Sequence, residues 1–117
     1  MKTVIDIEKW LERNKNIDPN GDYPFPCTIV YIVTNNLNGK QYIGCTNQGL
    51  RKRWEQHGRD YLSSGSIKLS IAIRDFGIEN FSVRPLLIAN NLSHAVESAC
   101  IDYFNTLHPN GYNVRKG

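Results

Sequence analysis

Residues 28–46 read TIVYIVTNNLNGKQYIGCT, and this stretch decides the fold. Residues 28–34 are β-branched or aromatic at every position, which is typical of a buried central strand. Asn38-Gly39 is a strong signal for a tight turn, because both residue types tolerate a positive φ. Residues 41–46 then return as a second strand. The stretch therefore predicts a β-hairpin.

Apolar spacing predicts three helices and a third strand after the hairpin. The predicted elements are a helix over residues 49–62, a helix from residue 67 to a terminating Gly77, a strand over 81–88, and a helix over 92–107 followed by a short tail. This order predicts an α+β fold, in which a small three-stranded antiparallel β-sheet is flanked by helices. Residues 1–25 are expected to form a short helix and a Pro-rich connecting arm, and residues 26–117 the domain itself.

Length and composition indicate a single soluble globular domain. The chain has 117 residues, of which 40% are hydrophobic and 21% charged, so multidomain, fibrous and disordered classes are excluded. Three widely spaced cysteines without a CxxC pair favour reduced thiols over disulfides or a structural zinc site. Apolar runs fall short of the roughly 18 residues of a membrane span, and charge comes too early for a signal peptide. We expect an intracellular, soluble, cytoplasmic protein without membrane association.

Positive charge is concentrated in one segment. Residues 27–117 carry ten Lys and Arg against six Asp and Glu, a net of +4, whereas residues 1–26 have a net of −1. Most of the excess lies in residues 51–59, which hold Arg51, Lys52, Arg53 and Arg59 beside Trp54 and His57. A basic cluster interleaved with an aromatic residue suits phosphate contact. A solvated helix face explains the same charges, so both interpretations stay open.

Candidate chemical groups lie on the hairpin and on the helix that follows it. Tyr31 and Tyr42 are 11 residues apart across the hairpin loop, although half-buried packing residues are the alternative. Arg53 and His57 are four residues apart and therefore neighbours on a helix surface. Arginine offers a fork for phosphate and histidine titrates near neutrality. His57 also fits the apolar seam of that helix as a core residue.

Glu97 is the most informative acidic position. On a helical wheel it lies at the edge of the apolar stripe of the last predicted helix, so its carboxylate is expected near the core. Such a position suits a ligand for a hard cation. A half-buried salt bridge to an arginine is the alternative.

Together these residues resemble the GIY-YIG nucleases over about residues 27–115. Six matches occur in the family's order: Ile29-Val30-Tyr31, Tyr42-Ile43-Gly44, Arg53-Trp54 with His57, residues 76–81, Glu97, and Gly111-Tyr112-Asn113. The second triad matches letter for letter.

Three positions depart from the family pattern. Ile29 stands where the first triad has glycine, and Arg53 follows Tyr42 by 11 residues, one more than is common. Residues 63–65 lack the second histidine of some relatives. The set of tyrosines, arginine, glutamate and asparagine is complete, which favours a working enzyme.

The resemblance implies a metal-dependent DNA endonuclease. Glu97 would anchor Mg²⁺, with Mn²⁺ as a substitute, and Asn113 would orient Glu97 or a metal-bound water. Arg53 would stabilise charge on the phosphate. Tyr31 is the implied general base, helped by His57, and Tyr42 would position the water or the phosphate. Further DNA contacts are expected from Lys40, which would also favour the Tyr31 phenolate, and from Arg51, Lys52 and Arg59.

The residues do not indicate which DNA sequence or structure the protein would recognise. A chain with room for one domain predicts a stand-alone module with relaxed sequence preference, or one that depends on a homo-oligomer or a specificity-conferring partner. Three alternatives stay open: a non-catalytic nucleic-acid-binding module of the same fold, a protein-interaction domain docking through its N-terminal helix, and a structure-specific nuclease acting on branched DNA or RNA.

Overall fold

The computed structural model describes residues 6–15, 28–46, 67–89 and 93–114. The helices of these segments are α1 (Ile7–Arg13), α2 (Ile67–Phe76) and α3 (Ser93–Phe104), and the strands are β1 (Thr28–Asn35), β2 (Gln41–Thr46) and β3 (Phe81–Ala89). A 3₁₀ turn, Ile78–Asn80, leads into β3. The helix predicted over 49–62 lies outside the described residues. Within the described segments, every helix is too short or too polar to cross a membrane.

The three strands form one antiparallel sheet in the order β2-β1-β3, which confirms the predicted α+β fold. Tyr31 of β1 faces Gly44 of β2 on one side and Pro85 of β3 on the other. The register with β3 shifts between Val30 and Tyr31. Proline lacks an N–H for the ladder and is tolerated at edges and bulges, which is where Pro85 lies.

The predicted hairpin is confirmed, with a connection of five residues, 36–40, between the strands. The Asn35 N–H donates to the Lys40 carbonyl oxygen at 2.9 Å, and the Gly39 N–H donates to the Asn35 carbonyl oxygen at 2.8 Å. Gly39 has a φ of 79°, a conformation that glycine adopts without steric cost. Asn38 instead accepts the Lys40 N–H on Oδ1 at 2.9 Å. The two turn residues therefore act differently, one through its backbone and one through its side chain.

The sheet buries apolar side chains on both of its faces, which explains the nearly unbroken apolar run of β1. α1 and α3 cover one face, and their cluster with the strands contains Ile7, Val30, Ile32, Ile43, Leu86, Leu87, Val96, Cys100 and Ile101. α2 covers the other face, and that cluster contains Tyr31, Val33, Tyr42, Leu69, Ala72, Ile73, Phe81 and Tyr112. Ile29, the departure from the first triad, is 2% exposed and packs as an ordinary strand residue.

The last helix is shorter than predicted. The sequence predicts helix as far as Leu107, whereas α3 ends at Phe104. Asn105 adopts a φ of 56°, and this left-handed conformation terminates the helix. Leu107 then forms an isolated bridge with Asn113. The segment predicted as a tail is consequently folded back into the domain.

Candidate active site

The two predicted tyrosines are brought together by the hairpin. Tyr31 and Tyr42 have ring centroids 6.4 Å apart and planes inclined by 52°. Tyr31 is 1% exposed and Tyr42 is 8% exposed, both inside the cluster covered by α2. Both tyrosines therefore do pack in the core, the alternative that the sequence left open, and this packing holds their rings in a defined position.

Gly44 makes room for the Tyr31 phenol. In the strand register Gly44 lies directly opposite Tyr31. A Cβ atom at Gly44 would lie 2.5 Å from both Cζ and Oη of Tyr31 and 2.9 Å from Cε2 of Tyr42. These distances are far inside van der Waals contact. The glycine of the second triad is thus required by the tyrosine of the first.

Asn113 binds the outer edge of β2. Its Oδ1 accepts the Ile43 N–H at 2.8 Å, and its Nδ2 donates to the Ile43 carbonyl oxygen at 2.9 Å. The Thr106 hydroxyl also donates to Oδ1 at 2.7 Å. The amide therefore satisfies two buried backbone groups that a neighbouring strand would otherwise pair. The described contacts give Asn113 a positioning role on β2, and the orientation of Glu97 by Asn113 stays a prediction.

Replacing Asn113 with alanine is expected to lower the free energy of unfolding by about 2 kcal/mol, because buried donors and acceptors on Ile43 and Thr106 lose their partners. Urea unfolding followed by circular dichroism measures the change. Asn110→Ala is the matched control, since Asn110 is exposed in the same turn and should cost less than about 0.5 kcal/mol. Equal midpoints for wild type and Asn113→Ala would contradict this account of the amide.

Tyr112 attaches the same segment to the hairpin. Its N–H donates to the Gln41 carbonyl oxygen at 2.9 Å. Its hydroxyl accepts from Nδ2 of Asn35 at 3.0 Å and from Nδ2 of Asn38 at 3.3 Å. Asn35 is fully buried, and the sequence analysis missed it. An asparagine directly after a run of β-branched and aromatic residues was the available signal, but turns carry asparagine so often that it was not distinctive.

Glu97 is half-buried on α3 and contacts Cys45 of β2. Burial, together with the hydrogen bond to the Glu97 carboxylate, raises the pKa of the Cys45 thiol far above its usual range. Burial, and to a smaller extent the charge of Glu97, raises the pKa of Cys100 to about 12. Both thiols are therefore protonated at neutral pH, and Cys45 acts as a donor to Glu97. Sequence reasoning missed Cys45 as the partner of Glu97.

Four of the six predicted catalytic residues belong to residues 42–45 of β2 or contact them. Tyr42 belongs to this stretch, Tyr31 packs over Gly44, Asn113 binds Ile43, and Glu97 contacts Cys45. Because Gly44 and Cys45 are successive strand residues, the tyrosines and Glu97 approach β2 from its two faces.

Of the other predicted site residues, Lys40 alone falls within the described segments. Arg53, His57, Arg51, Lys52 and Arg59 lie outside the described residues. Lys40 is exposed at the hairpin end, four residues and about 13 Å along the strand from Gly44. No contact between Lys40 and Tyr31 is described, so the effect of Lys40 on the Tyr31 phenol stays a prediction.

The fold and the two triads define a catalytic domain of a known class. A family model described as the GIY-YIG catalytic domain matches residues 27–113. The chain belongs to the GIY-YIG family, which confirms the resemblance seen in the sequence.

Two known proteins are similar to the chain. The catalytic domain of intron endonuclease I-TevI, solved as a glutamate-to-alanine mutant, matches with a TM-score of 0.63 and 25% identity, covering 78% of this chain and 96% of that one. Protein 146R of Invertebrate iridescent virus 6, a candidate MSV199-domain protein by its name, is 31% identical over 86 residues. That match covers 68% of this chain, which spans only 35% of the length of the viral protein. The family and structural matches support a nuclease of the GIY-YIG type.

Proposed function

We propose that this protein is a metal-dependent endonuclease that hydrolyses phosphodiester bonds in DNA. The observation that carries the proposal is that Tyr42 belongs to residues 42–45 of β2, while Tyr31, Glu97 and Asn113 all contact this stretch. A binding module needs no half-buried carboxylate for phosphate contact, whereas metal-assisted hydrolysis uses one. The similarity to an intron endonuclease domain supports DNA as the substrate.

In this proposal each site residue has its own role in hydrolysis. Tyr31 accepts the proton of the attacking water, and its packed ring sets the direction of its hydroxyl. Tyr42 positions the water or the phosphate beside it. Arg53 stabilises the charge that develops on the phosphate, and His57 takes the proton onward. Asn113 acts on the strand that carries Tyr42, through both backbone groups of Ile43.

The chemistry of Glu97 fits a hard divalent cation. A half-buried carboxylate offers the oxygen donors that Mg²⁺ prefers, and Mg²⁺ sites commonly use one or two carboxylates together with water and substrate phosphates. The neutral Cys45 thiol is a poor ligand for Mg²⁺, so it serves as a hydrogen-bond donor that orients the carboxylate. When bound, Mg²⁺ or Mn²⁺ would polarise the scissile phosphate and stabilise the leaving oxygen. Glu97 is the proposed protein ligand of the divalent cation.

Recognition of DNA is proposed to rest on phosphate contacts with little sequence preference. The net charge of +4 on residues 27–117 supports modest, salt-sensitive binding. A second copy of the chain or a partner protein would add specificity.

Incubation of the full chain with supercoiled plasmid tests the proposal. We expect nicked or linear product with Mg²⁺ or Mn²⁺ and none with EDTA, while Glu97→Ala, purified in parallel, reports contaminating nuclease. The ratio of nicked to linear product bears on oligomeric state, because one active site nicks and a double-strand break needs two sites or two visits. An intact plasmid in both metals, or cleavage that persists in EDTA, would contradict the proposal. In the first case the binding module and the nuclease of branched DNA or RNA become the leading alternatives.

A further inference from the structure

A groove lies between α1, β3 and the C-terminal end of α3, away from residues 42–45 of β2. Its volume is about 320 Å³, at the small end of the range for ligand pockets. The side chains that line it and bear on recognition are Leu11, Lys15, Arg84, Tyr103 and Phe104. Two of these are cationic and two are aromatic.

α1 forms one wall of the groove, and hydrogen bonds of Asn14 hold it there. Oδ1 of Asn14 accepts the Ile88 N–H of β3 at 3.3 Å, and Nδ2 donates to the Trp10 carbonyl oxygen at 2.7 Å. α1 lies outside residues 27–113, the part of the chain that the family model matches. The groove is therefore built partly by a segment that the family match does not include.

The charge of the groove is suited to an anion. Lys15 and Arg84 are both exposed, and the described lining residues include no acid. Lys15 contacts Glu12 at 2.8 Å, but both side chains are more than 60% exposed, so the pair is weak and screened. The ammonium group can exchange that carboxylate for a phosphate. The planar guanidinium of Arg84 matches phosphate geometry in a bidentate contact.

Tyr103 supplies an aromatic surface at the same groove. Its side chain is 50% exposed, and its ring packs edge-on against Phe104 with centroids 5.0 Å apart and planes inclined by 78°. A ring supported in this way loses little freedom when a second aromatic group stacks on it. Stacking on exposed aromatic side chains is how proteins hold unpaired bases.

We infer that this groove binds one nucleotide of a single-stranded nucleic acid, with the base on Tyr103 and the phosphate on Lys15 and Arg84. A single strand is required because a duplex keeps its bases stacked on one another. A peptide added to the edge of β3 is disfavoured, since Pro85 has no N–H and the Ile88 N–H is bound by Asn14. This site goes beyond the proposed nuclease function and does not depend on it.

Fluorescence anisotropy with the full chain in EDTA tests the groove, using fluorescein-labelled oligothymidine of about twelve nucleotides. Tyr103→Ala should weaken binding about tenfold. Arg84→Gln and Lys15→Gln should each reduce the slope of log K against log salt by about 0.7, as expected for one lost phosphate contact to a single strand. Phe76→Ala, an exposed aromatic residue on α2, and Lys9→Gln, an exposed cation on α1, should bind like wild type.

Location is tested by photocrosslinking to an oligonucleotide that contains 5-iodouracil. An adduct on Tyr103 is expected, and adducts confined to other residues would overturn the inference. The absence of binding by wild type, or equal binding by all the variants, would also overturn it. Similar affinity for oligouridine is expected, since neither contact reads the 2′-hydroxyl. Because this assay is carried out in EDTA and reads binding alone, failure of the groove is distinguished from failure of the nuclease.

Discussion

Glu97→Gln is expected to lower the rate of plasmid cleavage by about a thousandfold, while the folded domain stays intact. Glutamine keeps the size of the side chain, and its carbonyl oxygen can still accept the Cys45 thiol. It lacks the negative charge with which Glu97 is proposed to hold a divalent cation. The loss should therefore fall on catalysis and not on packing.

Three measurements on Glu97→Gln distinguish a catalytic role from a structural one. The cleavage rate should fall, whereas urea unfolding and anisotropy with a duplex oligonucleotide should remain close to wild type. Glu79→Gln is the matched control, because Glu79 is an exposed carboxylate in the 3₁₀ turn and should cleave normally. Cleavage by Glu97→Gln near the wild-type rate would exclude Glu97 as the proposed metal ligand. A concurrent loss of stability and DNA binding would indicate a structural role.

Gly44→Ala is expected to reduce cleavage by about a hundredfold, because a misplacement of about 1 Å at a reacting group costs that much. The added methyl group would lie 2.5 Å from Cζ and Oη of Tyr31. Tyr31 is 1% exposed and its ring is enclosed by packed side chains, so relief requires movement of the phenol or of β2. We expect the free energy of unfolding to fall by roughly 1–3 kcal/mol, as in other overpacked cores.

Gly39→Ala serves as the control for loss of a glycine. Gly39 has a positive φ, but a Cβ there meets no atom within 4 Å, so alanine should cost about 1 kcal/mol through the backbone alone. Cleavage at a temperature where both variants are folded should be normal for Gly39→Ala and impaired for Gly44→Ala. Equal rates would mean that the position of the Tyr31 phenol does not limit the reaction.

Much of the fold was predictable because its signals are local. An unbroken β-branched run, an Asn-Gly turn and a returning strand specify a hairpin without information from elsewhere in the chain. The end of α2 at Gly77 follows from a glycine after an apolar helical pattern. The end of α3 could not be predicted, because Asn105 terminates the helix in a left-handed conformation that asparagine only sometimes adopts.

The candidate site was predictable only where the family pattern names residues. The sequence named Tyr31, Tyr42, Glu97 and Asn113, but no signal in it indicated the hydrogen bonds of Asn113 to β2. A carboxamide that pairs with both backbone groups of Ile43 depends on a chain reversal 70 residues later. The contact between Cys45 and Glu97 depends in the same way on how α3 packs against β2.

By itself, the sequence determined the class of this protein. The hairpin, the α+β order and the residue types of a nuclease site can each be recognised from a short segment of the chain. The tertiary structure alone decided which side chains meet at β2. Only packing across the sheet places the phenol over Gly44, the amide along the strand edge and the carboxylate beside a neutral thiol. Those relations depend on distances between segments far apart in the chain, and local propensity carries no information about them.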